Sequence, residues 1–316
     1  MSQADMGLAQ SIQARVVAHA KKLRLEPTLV FARYGLERFL YRLSRSRYAE
    51  RFVLKGGMLM ISWLGETVRT TRDADLLGYG LLTRDEILRI FQEVASVPGD
   101  LEDGVVFLPA TVAVSPIRRA DPYGGERVTF EGRIGRVKLS LQVDVAVGDA
   151  VYPPPEWLEY PSLLDVSRPL LRAYQPETTI AEKLHAIVEL GQANTRMKDF
   201  FDIAELSRVR EFEGTALGQA IRETFERRKT PLVAAPAGLS NRFGTDPGKQ
   251  RQWEAFVSKN HADASQGFEE WVLRVELFVG PVLAALSRGE GLEGSWPAGG
   301  PWRSPTGERG AVVLRD

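Results

Sequence analysis

The sequence has 316 residues, with 41 basic and 41 acidic side chains, three histidines and no cysteine. A chain of this length folds as one large domain or two ordinary ones and needs no disulfide to hold its core. The missing cysteines exclude disulfide frameworks, thiolate metal sites and cysteine nucleophiles, and the balanced charge argues against a histone-like basic protein. No apolar run approaches the roughly 20 residues of a membrane span, and the first residues lack a signal-peptide pattern. We therefore expect a cytoplasmic protein with no membrane partner.

Residues 11–51 form the first predicted helical region, because apolar residues recur there at steps of three and four. Pro27 suits the first turn of a helix inside this region. Arginines fall between the apolar positions and form either a solvated face or one edge of a nucleic-acid groove. These arginines are Arg38, Arg42, Arg45, Arg47 and Arg51.

From residue 52 the pattern changes to shorter elements. Residues 52–54 predict a strand that stops at the sequence KGG of residues 55–57, and residues 58–63 predict a buried helix. Acidic and apolar residues alternate over 70–77, which predicts a strand. A capping box of Thr83 and Glu86 opens a predicted helix that ends near residue 96. Further strands follow, the last two as a hairpin around residues 132–135. Their predicted ranges are 105–107, 111–114, 127–131 and 136–147.

Three prolines at residues 153–155 mark a boundary, beyond which the pattern is mostly helical. The predicted helices cover 178–191, 197–208, 215–229, 249–260 and 266–287. The Gly- and Pro-rich end predicts a flexible tail, unless Trp296 and Trp302 anchor it locally. The predicted domains are residues 1–152, residues 153–288 and a tail of 289–316.

Two short patterns, the glycine pair at residues 56–57 and the D-x-D sequence at residues 73–75, could bind a metal–nucleotide complex. Gly56 and Gly57 would let backbone amides approach an anion at a helix N-terminus, although glycine pairs are also common in ordinary turns. Asp73 and Asp75 point to the same side of a strand, where two carboxylates repel each other unless a cation lies between them. Magnesium prefers oxygen ligands and keeps waters and phosphates in its other positions. The alternative is a D-x-D sequence in a surface turn.

Further candidate residues lie on the predicted strand 136–147 and in the helical half. Asp144 is the acid on the polar face of the strand, either a metal ligand or an exposed carboxylate. Lys183 either pairs with Asp199 or Asp202, which are helix-surface neighbours, or points at phosphates. His185 is expected to pack rather than to act as a general base.

Taken in order, these blocks resemble the nucleotidyltransferase superfamily with a DNA polymerase β-like catalytic fold. More narrowly, they are similar to the AbiEii toxin family of type IV toxin–antitoxin systems, which includes the MenT toxins. The resemblance covers roughly residues 30–210 and rests on residues 54–57 (LKGG), 69–75 (RTTRDAD), 144, 181–186 (AEKLHA) and 196–202 (RMKDFFD). It implies an α+β protein, in which a polymerase β-like domain with a mixed sheet precedes an α-helical C-terminal domain.

The resemblance also implies roles for the acids and for one lysine. Asp73, Asp75 and Asp144 would ligate the Mg²⁺ that arrives with an NTP, and Asp144 would complete a two-metal site or activate the attacking hydroxyl. Lys183 would bind the triphosphate and Asp199 would orient it. These five residues are the predicted catalytic set.

The predicted nucleotide-binding residues overlap this set at Lys183. By the same resemblance, Gly56 and Gly57 would supply backbone amides, Thr71 would lie beside the phosphates, and Lys55 and Arg196 would add positive charge. Phosphoryl transfer needs mainly positioning and charge neutralisation, so a chain without cysteine can perform it.

The function implied by the resemblance is that of a toxin. MenT-like relatives transfer a nucleotide from an NTP to the 3′ end of tRNA, which blocks translation, and a cognate antitoxin is encoded by an adjacent gene. Basic residues could follow the RNA backbone, or each could simply be solvated surface. These residues are Arg118, Arg119, Arg127, Arg133, Arg136, Lys138, Arg227, Arg228 and Lys229. Two alternatives remain open from the sequence: transfer of AMP to a protein, or a nucleotide-binding regulator without catalysis.

Overall fold

The computed structural model describes residues 3–65, 71–100, 102–117, 124–260 and 266–305. The chain divides into two compact units. The first comprises Met1–Asp149 and Pro155–Ala173, and the second comprises Ala150–Pro154 and Tyr174–Asp316. The first unit therefore extends past the predicted boundary at residue 152, because a later hairpin returns to its sheet.

The first unit contains four α-helices and seven strands among its described residues. In chain order these are α1 Gln3–Leu23, α2 Pro27–Ser44, β1 Phe52–Lys55, α3 Gly57–Leu64, β2 Ala74–Gly78, α4 Arg84–Ser96, β3 Val106–Pro116, β4 Glu126–Ile134, β5 Val137–Val147, β6 Glu156–Glu159 and β7 Leu170–Ala173. Most predicted elements are present, but the region 11–51 is two helices, and the first of them begins before residue 11. The two candidate strands over 105–114 are one strand, β3, whose register with β4 shifts between Leu108 and Ala113.

The described strands of this unit form a mixed sheet in the order β3–β4–β5–β2–β1–β7–β6. β2 runs parallel to β5 and antiparallel to β1, while β1 runs parallel to β7. The predicted α+β class with a mixed sheet is confirmed. The topology matters for the site because it makes β2, which begins next to Asp73, a direct neighbour of β5, which carries Asp144.

An aromatic cluster packs α2 and α4 against this sheet. The ring centroids of Phe39 on α2 and Phe91 on α4 are 5.2 Å apart, and Phe39 lies 4.6 Å from Phe130 on β4. Phe52 and Phe107 extend the cluster to β1 and β3. Burying each ring stabilises the fold by about 1.5–3 kcal/mol, so the sheet that carries the acids is firmly backed.

Two of the five arginines in the first helical region contradict both interpretations made from the sequence. Arg38 is 0% exposed and Arg42 is 3% exposed. Arg38 Nη2 lies 2.6 Å from Glu37 Oε1, and Arg42 Nη1 lies 2.9 Å from Asp103 Oδ2. A buried charge is tolerated only when it is paired, so these two arginines stabilise the interior of the unit and do not face solvent or nucleic acid.

The second unit is mainly helical in its described residues, as predicted. Its elements are α5 Pro176–Leu190, α6 Met197–Val209, β8 Phe212–Glu213, α7 Gly214–Arg227, α8 Asn241–Gly244, α9 Pro247–Asn260, α10 Phe268–Ser287 and β9 Ser295–Trp296. Aromatic residues on α6, α9 and α10 form its core. The rings of Phe201 and Trp271 are stacked at 5.1 Å, and Trp253 lies 5.0 Å from Trp271.

The segment that follows α10 is packed rather than free, as far as it is described. Trp296 and Trp302 are each 7% exposed. Trp296 Nε1 donates a hydrogen bond to the carbonyl oxygen of Ser207, and Trp302 Nε1 donates to that of Phe278. The two tryptophans therefore anchor the predicted tail up to residue 305, while residues 306–316 lie outside the described residues.

Among the residues that the structure describes, no helix is both long enough and apolar enough to cross a lipid bilayer.

Candidate active site

The turn between β1 and α3 brings the first glycine against an acid. Gly56 has φ 70°, a conformation that side-chain-bearing residues rarely adopt. A Cβ on Gly56 would overlap Asp75 Oδ2 and lie 2.6 Å from Asp75 Cγ. Lys55 and Asp75 are register partners in the antiparallel β1–β2 pair. Glycine is thus required here both by the backbone and by the space that the Asp75 carboxylate occupies.

Asp73 lies in the loop immediately before β2, and its neighbour Thr71 holds it in place. Thr71 Oγ1 is 3.2 Å from Asp73 Oδ1 and 3.2 Å from the Asp73 carbonyl oxygen. The Thr71 hydroxyl thus orients an acid of the candidate site. Arg69 and Thr70, which belong to the same sequence block, lie outside the described residues.

The three predicted acids converge because β2 and β5 are parallel neighbours. Asp75 and Asp144 are register partners across this pair. Gln142 Nε2 lies 3.3 Å from Asp144 Oδ1 and 3.5 Å from Asp73 Oδ2, so the Gln142 amide connects these two acids. Asp144 is 7% exposed, and the alternative of an exposed strand carboxylate is therefore wrong. We call Asp73, Asp75 and Asp144 the carboxylate cluster.

Arg127 binds the carboxylate cluster directly, and the sequence did not assign it to the site. Arg127 on β4 is the register partner of Asp144 on β5. Its Nε and Nη2 donate to Asp144 Oδ1 and Oδ2 at 2.9 and 2.8 Å. The bond to Asp144, together with the charges of Asp144, Asp73 and Asp75, raises the pKa of the Arg127 guanidinium, although its partial burial opposes this.

The signal for this pair was present in the predicted hairpin. The chain turns at Gly135, which has φ 57°, and counting outward from the turn pairs residue 127 with residue 144. A shift of one residue in the hairpin register moves every side chain to the other face of the sheet. The pairing of Arg127 with Asp144 can therefore be predicted only when the exact turn residues are known. A turn placed somewhere within 132–135 left Arg127 as one of several surface arginines.

Lys55 contacts a different acid from the three that were predicted. Its Nζ lies 2.6 Å from Asp149 Oδ2, and both side chains are about nine-tenths buried, with exposures of 11% and 9%. The contact fixes the ammonium group of Lys55 at the end of β1.

The donor chemistry of the carboxylate cluster fits a hard divalent cation such as Mg²⁺, which prefers carboxylate oxygens. The side-chain conformations shown here are not those of a formed ligand set: within the described residues, no group of three or more His, Cys, Asp or Glu side chains is arranged to hold a metal ion. Both oxygens of Asp144 instead accept hydrogen bonds from Arg127.

The second unit contains a separate ion-pair cluster on α5 and α6. Lys183 Nζ lies 3.0 Å from Asp199 Oδ1 and 2.7 Å from Asp202 Oδ2. Arg196 Nε lies 2.5 Å from Asp199 Oδ2. Both aspartates are 0% exposed. We call Lys183, Arg196, Asp199 and Asp202 the ion-pair cluster; it contains the pairing that the sequence offered as the alternative to phosphate binding.

The charges in this cluster determine the ionisation of its central acid. Burial alone would raise the pKa of Asp199, but the positive charges of Lys183 and Arg196 and the hydrogen bond from Arg196 outweigh it and lower the pKa to about 2. Asp199 is thus ionised at neutral pH and holds both cations in fixed positions.

His185 packs, as predicted from the sequence. It is 5% exposed and meets the edge of the Phe225 ring, with centroids 5.3 Å apart. Its Nε2 lies 2.8 Å from Thr230 Oγ1 and 3.0 Å from Glu189 Oε2. His261 lies outside the described residues.

A family model described as the nucleotidyl transferase AbiEii toxin of a type IV toxin–antitoxin system matches residues 38–274. Two solved structures are similar at 15% sequence identity, each across 84% of this chain: a candidate nucleotidyltransferase from H. pylori, covered to 97% with a TM-score of 0.46, and JHP933 from Helicobacter pylori, covered to 94% with a TM-score of 0.47. A search of curated proteins gave no significant match.

Proposed function

Because the chain belongs to the AbiEii nucleotidyl transferase toxin family of type IV toxin–antitoxin systems, we propose that it transfers a nucleotide from an NTP to the 3′ end of tRNA and thereby blocks translation. The nucleotidyltransferase activity follows from the family. The assignment of the catalytic residues is supported by one observation above all, the convergence of Asp73, Asp75 and Asp144 across the parallel pair of β2 and β5.

In this proposal the carboxylate cluster holds the Mg²⁺ that accompanies the NTP. The cation would neutralise charge on the triphosphate and on the attacking and leaving oxygens. Asp75 is positioned by its close approach to Gly56, and Asp73 by Thr71. Asp144 accepts two hydrogen bonds from Arg127, which hold its carboxylate in the substrate-free protein.

The remaining predicted residues bind and orient the nucleotide in the same proposal. The family resemblance assigns the triphosphate to Lys183 and Arg196, and Asp199 would keep both of them oriented through its contacts with each. Backbone amides of Gly56 and Gly57 lie at the start of α3, where the helix dipole favours an anion. Lys55 is tied to Asp149 and would act on phosphates only through that fixed position.

The proposed acceptor is RNA, and a group of exposed cations at the β4–β5 turn supports it. Arg133 and Lys138 are register partners across the hairpin, and Arg136 lies in the turn between them. All three are exposed. Cations at a projecting turn can contact phosphates without reading bases. Arg118 and Arg119, also considered for this role, lie outside the described residues.

Two further parts of the proposal come from the family. A type IV system implies an antitoxin, which we expect to be encoded beside this gene and to relieve growth arrest when both are expressed. The cytoplasm is the proposed site of action because NTPs and tRNA are found there.

The proposal is tested by incubating the purified protein with each NTP separately and measuring the intact mass of tRNA. A mass increase equal to one or more nucleotide units identifies both the acceptor and the donor. Asp75→Asn should abolish the increase, and Asp165→Asn, a change in the same unit away from the cluster, should leave it intact. EDTA should stop the transfer.

The same incubation distinguishes the alternatives. Radioactive label that enters only a protein fraction would replace the tRNA acceptor with a protein hydroxyl. Binding of an NTP without transfer to any fraction would support a nucleotide-binding regulator instead of an enzyme. Growth arrest that persists with Asp75→Asn would point to the same regulator.

A further inference from the structure

The contact between Arg127 and the carboxylate cluster has the geometry of a competition with a metal ion. A guanidinium and a divalent cation both bind a carboxylate through its two oxygen atoms, so they compete for the same site. Arg127 uses both oxygens of Asp144, through two nearly equal hydrogen bonds of 2.9 and 2.8 Å. Such a two-point contact is the strongest form of the Arg–carboxylate pair.

We propose that Arg127 acts as the counter-cation of the metal-free site and must leave Asp144 before that carboxylate can ligate a metal. Arg127 is in this view a positioning residue that sets when the third ligand becomes available. The inference rests on the proposed function, because it assumes that the carboxylate cluster holds a divalent cation.

The two partners of this ion pair differ in burial: the Asp144 carboxylate is enclosed, whereas the Arg127 guanidinium can reach solvent. The Asp144 side chain is 8% exposed, whereas the Arg127 side chain is 41% exposed. Asp144 therefore depends on a cation within the protein, while Arg127 can move its head group into water at little cost. The long, flexible arginine side chain is suited to this exchange, since its stem can stay on the strand while the guanidinium swings away.

The surroundings explain why a cation is needed at all times. Asp75 is the register partner of Asp144 on one side of β5, and Arg127 is its partner on the other. Gln142 bridges Asp144 and Asp73 through a single amide. Carboxylates held this close repel one another unless positive charge lies among them. Either a guanidinium or a metal ion can supply it.

The expected consequence is an order of binding. Asp73 and Asp75 are half-buried and would receive the cation first, and Asp144 would join when the cation displaces Arg127. A site of this kind binds free metal weakly and binds the metal–nucleotide complex better, because the nucleotide adds ligands that help displace the arginine. The device would keep the protein from holding a metal without its substrate.

The test is a titration with Mn²⁺ in the absence of nucleotide, followed by electron paramagnetic resonance of the unbound ion. Arg127→Gln removes the competing charge and should bind Mn²⁺ about tenfold more tightly than the wild type. Arg127→Lys keeps a charge but loses the fork and should fall between the two. In the metal-free form Arg127→Gln should melt at a lower temperature than the wild type, and Mn²⁺ should raise its melting temperature more.

The matched control is Arg84→Gln. Arg84 donates from Nε and Nη2 to the two oxygens of Glu126, at 3.1 and 3.0 Å, in the same fork geometry but on another carboxylate. Its replacement should leave Mn²⁺ affinity unchanged. The double variant Arg127→Gln/Asp144→Asn should lose the gain, because the released ligand is then absent.

Two results would overturn the inference. One is an Arg127→Gln variant that binds Mn²⁺ no more tightly than the wild type, and the other is a gain that persists when Asp144 is also replaced. Nucleotide transfer to tRNA is measured in parallel with the same proteins. Transfer without the gain in Mn²⁺ binding defeats this inference alone, whereas the gain without transfer defeats the proposed function and leaves the competition between Arg127 and the metal standing.

Discussion

The carboxylate cluster of the first unit and the ion-pair cluster of the second unit contain similar side chains but differ in charge balance and burial. The first gathers three aspartates on and beside β2 and β5 with the guanidinium of Arg127, and two of those acids are half-buried. The second matches two fully buried aspartates on α6 with Lys183 on α5 and with Arg196, the residue before α6. The first set favours an added cation, whereas the second is balanced by its own residues. We therefore expect substitutions in the second cluster to cost stability and those in the first to cost mainly activity.

The largest expected effect is that of Lys183→Ala. It should reduce the free energy of unfolding by about 3–5 kcal/mol, because Asp199 and Asp202 would stay buried without the ammonium group that bridges them. The family resemblance alone predicts only a loss of catalysis in a folded protein. Urea unfolding measures the difference. The control is Lys259→Ala, at an exposed position on α9, with a change of less than about 0.5 kcal/mol. Equal stability of the two variants would make Lys183 a functional residue without a structural role.

The next effect belongs to the glycine beside Asp75. Gly56→Ala should cost about 2–4 kcal/mol, from strain at positive φ and from the overlap of its Cβ with the Asp75 carboxylate. Gly80→Ala is the matched control, since Gly80 has φ 82° and the nearest atom to a Cβ there is Arg51 Nη2, at 3.8 Å.

Comparing the two alanine variants separates backbone strain from the overlap with the acid. Gly80→Ala should lose about 1–2 kcal/mol and retain nucleotide transfer, whereas Gly56→Ala should lose transfer as well. If both lose the same stability and neither loses transfer, the closeness of Asp75 has no catalytic meaning.

A smaller effect is expected from acid. The pKa of Asp199 is lowered from 3.8 to about 2 in the folded protein, so its ionised form stabilises the fold above pH 4. That contribution, about 2 kcal/mol, should be lost as the pH falls from about 4 toward 2. Urea unfolding at a series of pH values should show a steep decline that Asp199→Asn flattens. A decline that is unchanged in the variant would assign acid sensitivity to other groups.

The smallest effect on stability is expected in the carboxylate cluster. Asp73→Asn should change the free energy of unfolding by less than about 0.5 kcal/mol, because Asp73 is half-buried and the amide keeps its size. Nucleotide transfer should fall at least about a hundredfold, since one proposed metal ligand is lost. A variant that loses stability and keeps transfer would reverse the contrast between the two clusters.

Local structure followed closely from the sequence where neighbouring residues decide it. Pro27 begins α2, and the Thr83 hydroxyl accepts from the Glu86 backbone amide at 3.2 Å to open α4, as predicted. The helices of the second half fall near their predicted ranges, because a repeat of 3.6 residues is visible in a single stretch of chain. The family also followed from the sequence, since its motifs are short and ordered.

Contacts between distant residues could not be predicted in the same way. Lys55 meets Asp149 across 94 residues, and Trp296 meets Ser207 across 89. The burial of Arg38 depends on elements that pack over α2 from elsewhere in the chain. A charged residue between apolar ones indicates a solvated face when only the sequence is known, because its buried ion-pair partner is not visible there.

The sequence by itself determined the family and the α+β class and singled out three candidate acids, because each depends on residue types at short spacing. Only the tertiary structure decided that β2 lies beside β5, that Asp75 therefore faces Asp144, and that Arg127 holds the latter. The physical reason is that sheet order and register are set by long-range pairing and turn geometry, and a shift of one residue would turn Arg127 to the opposite face.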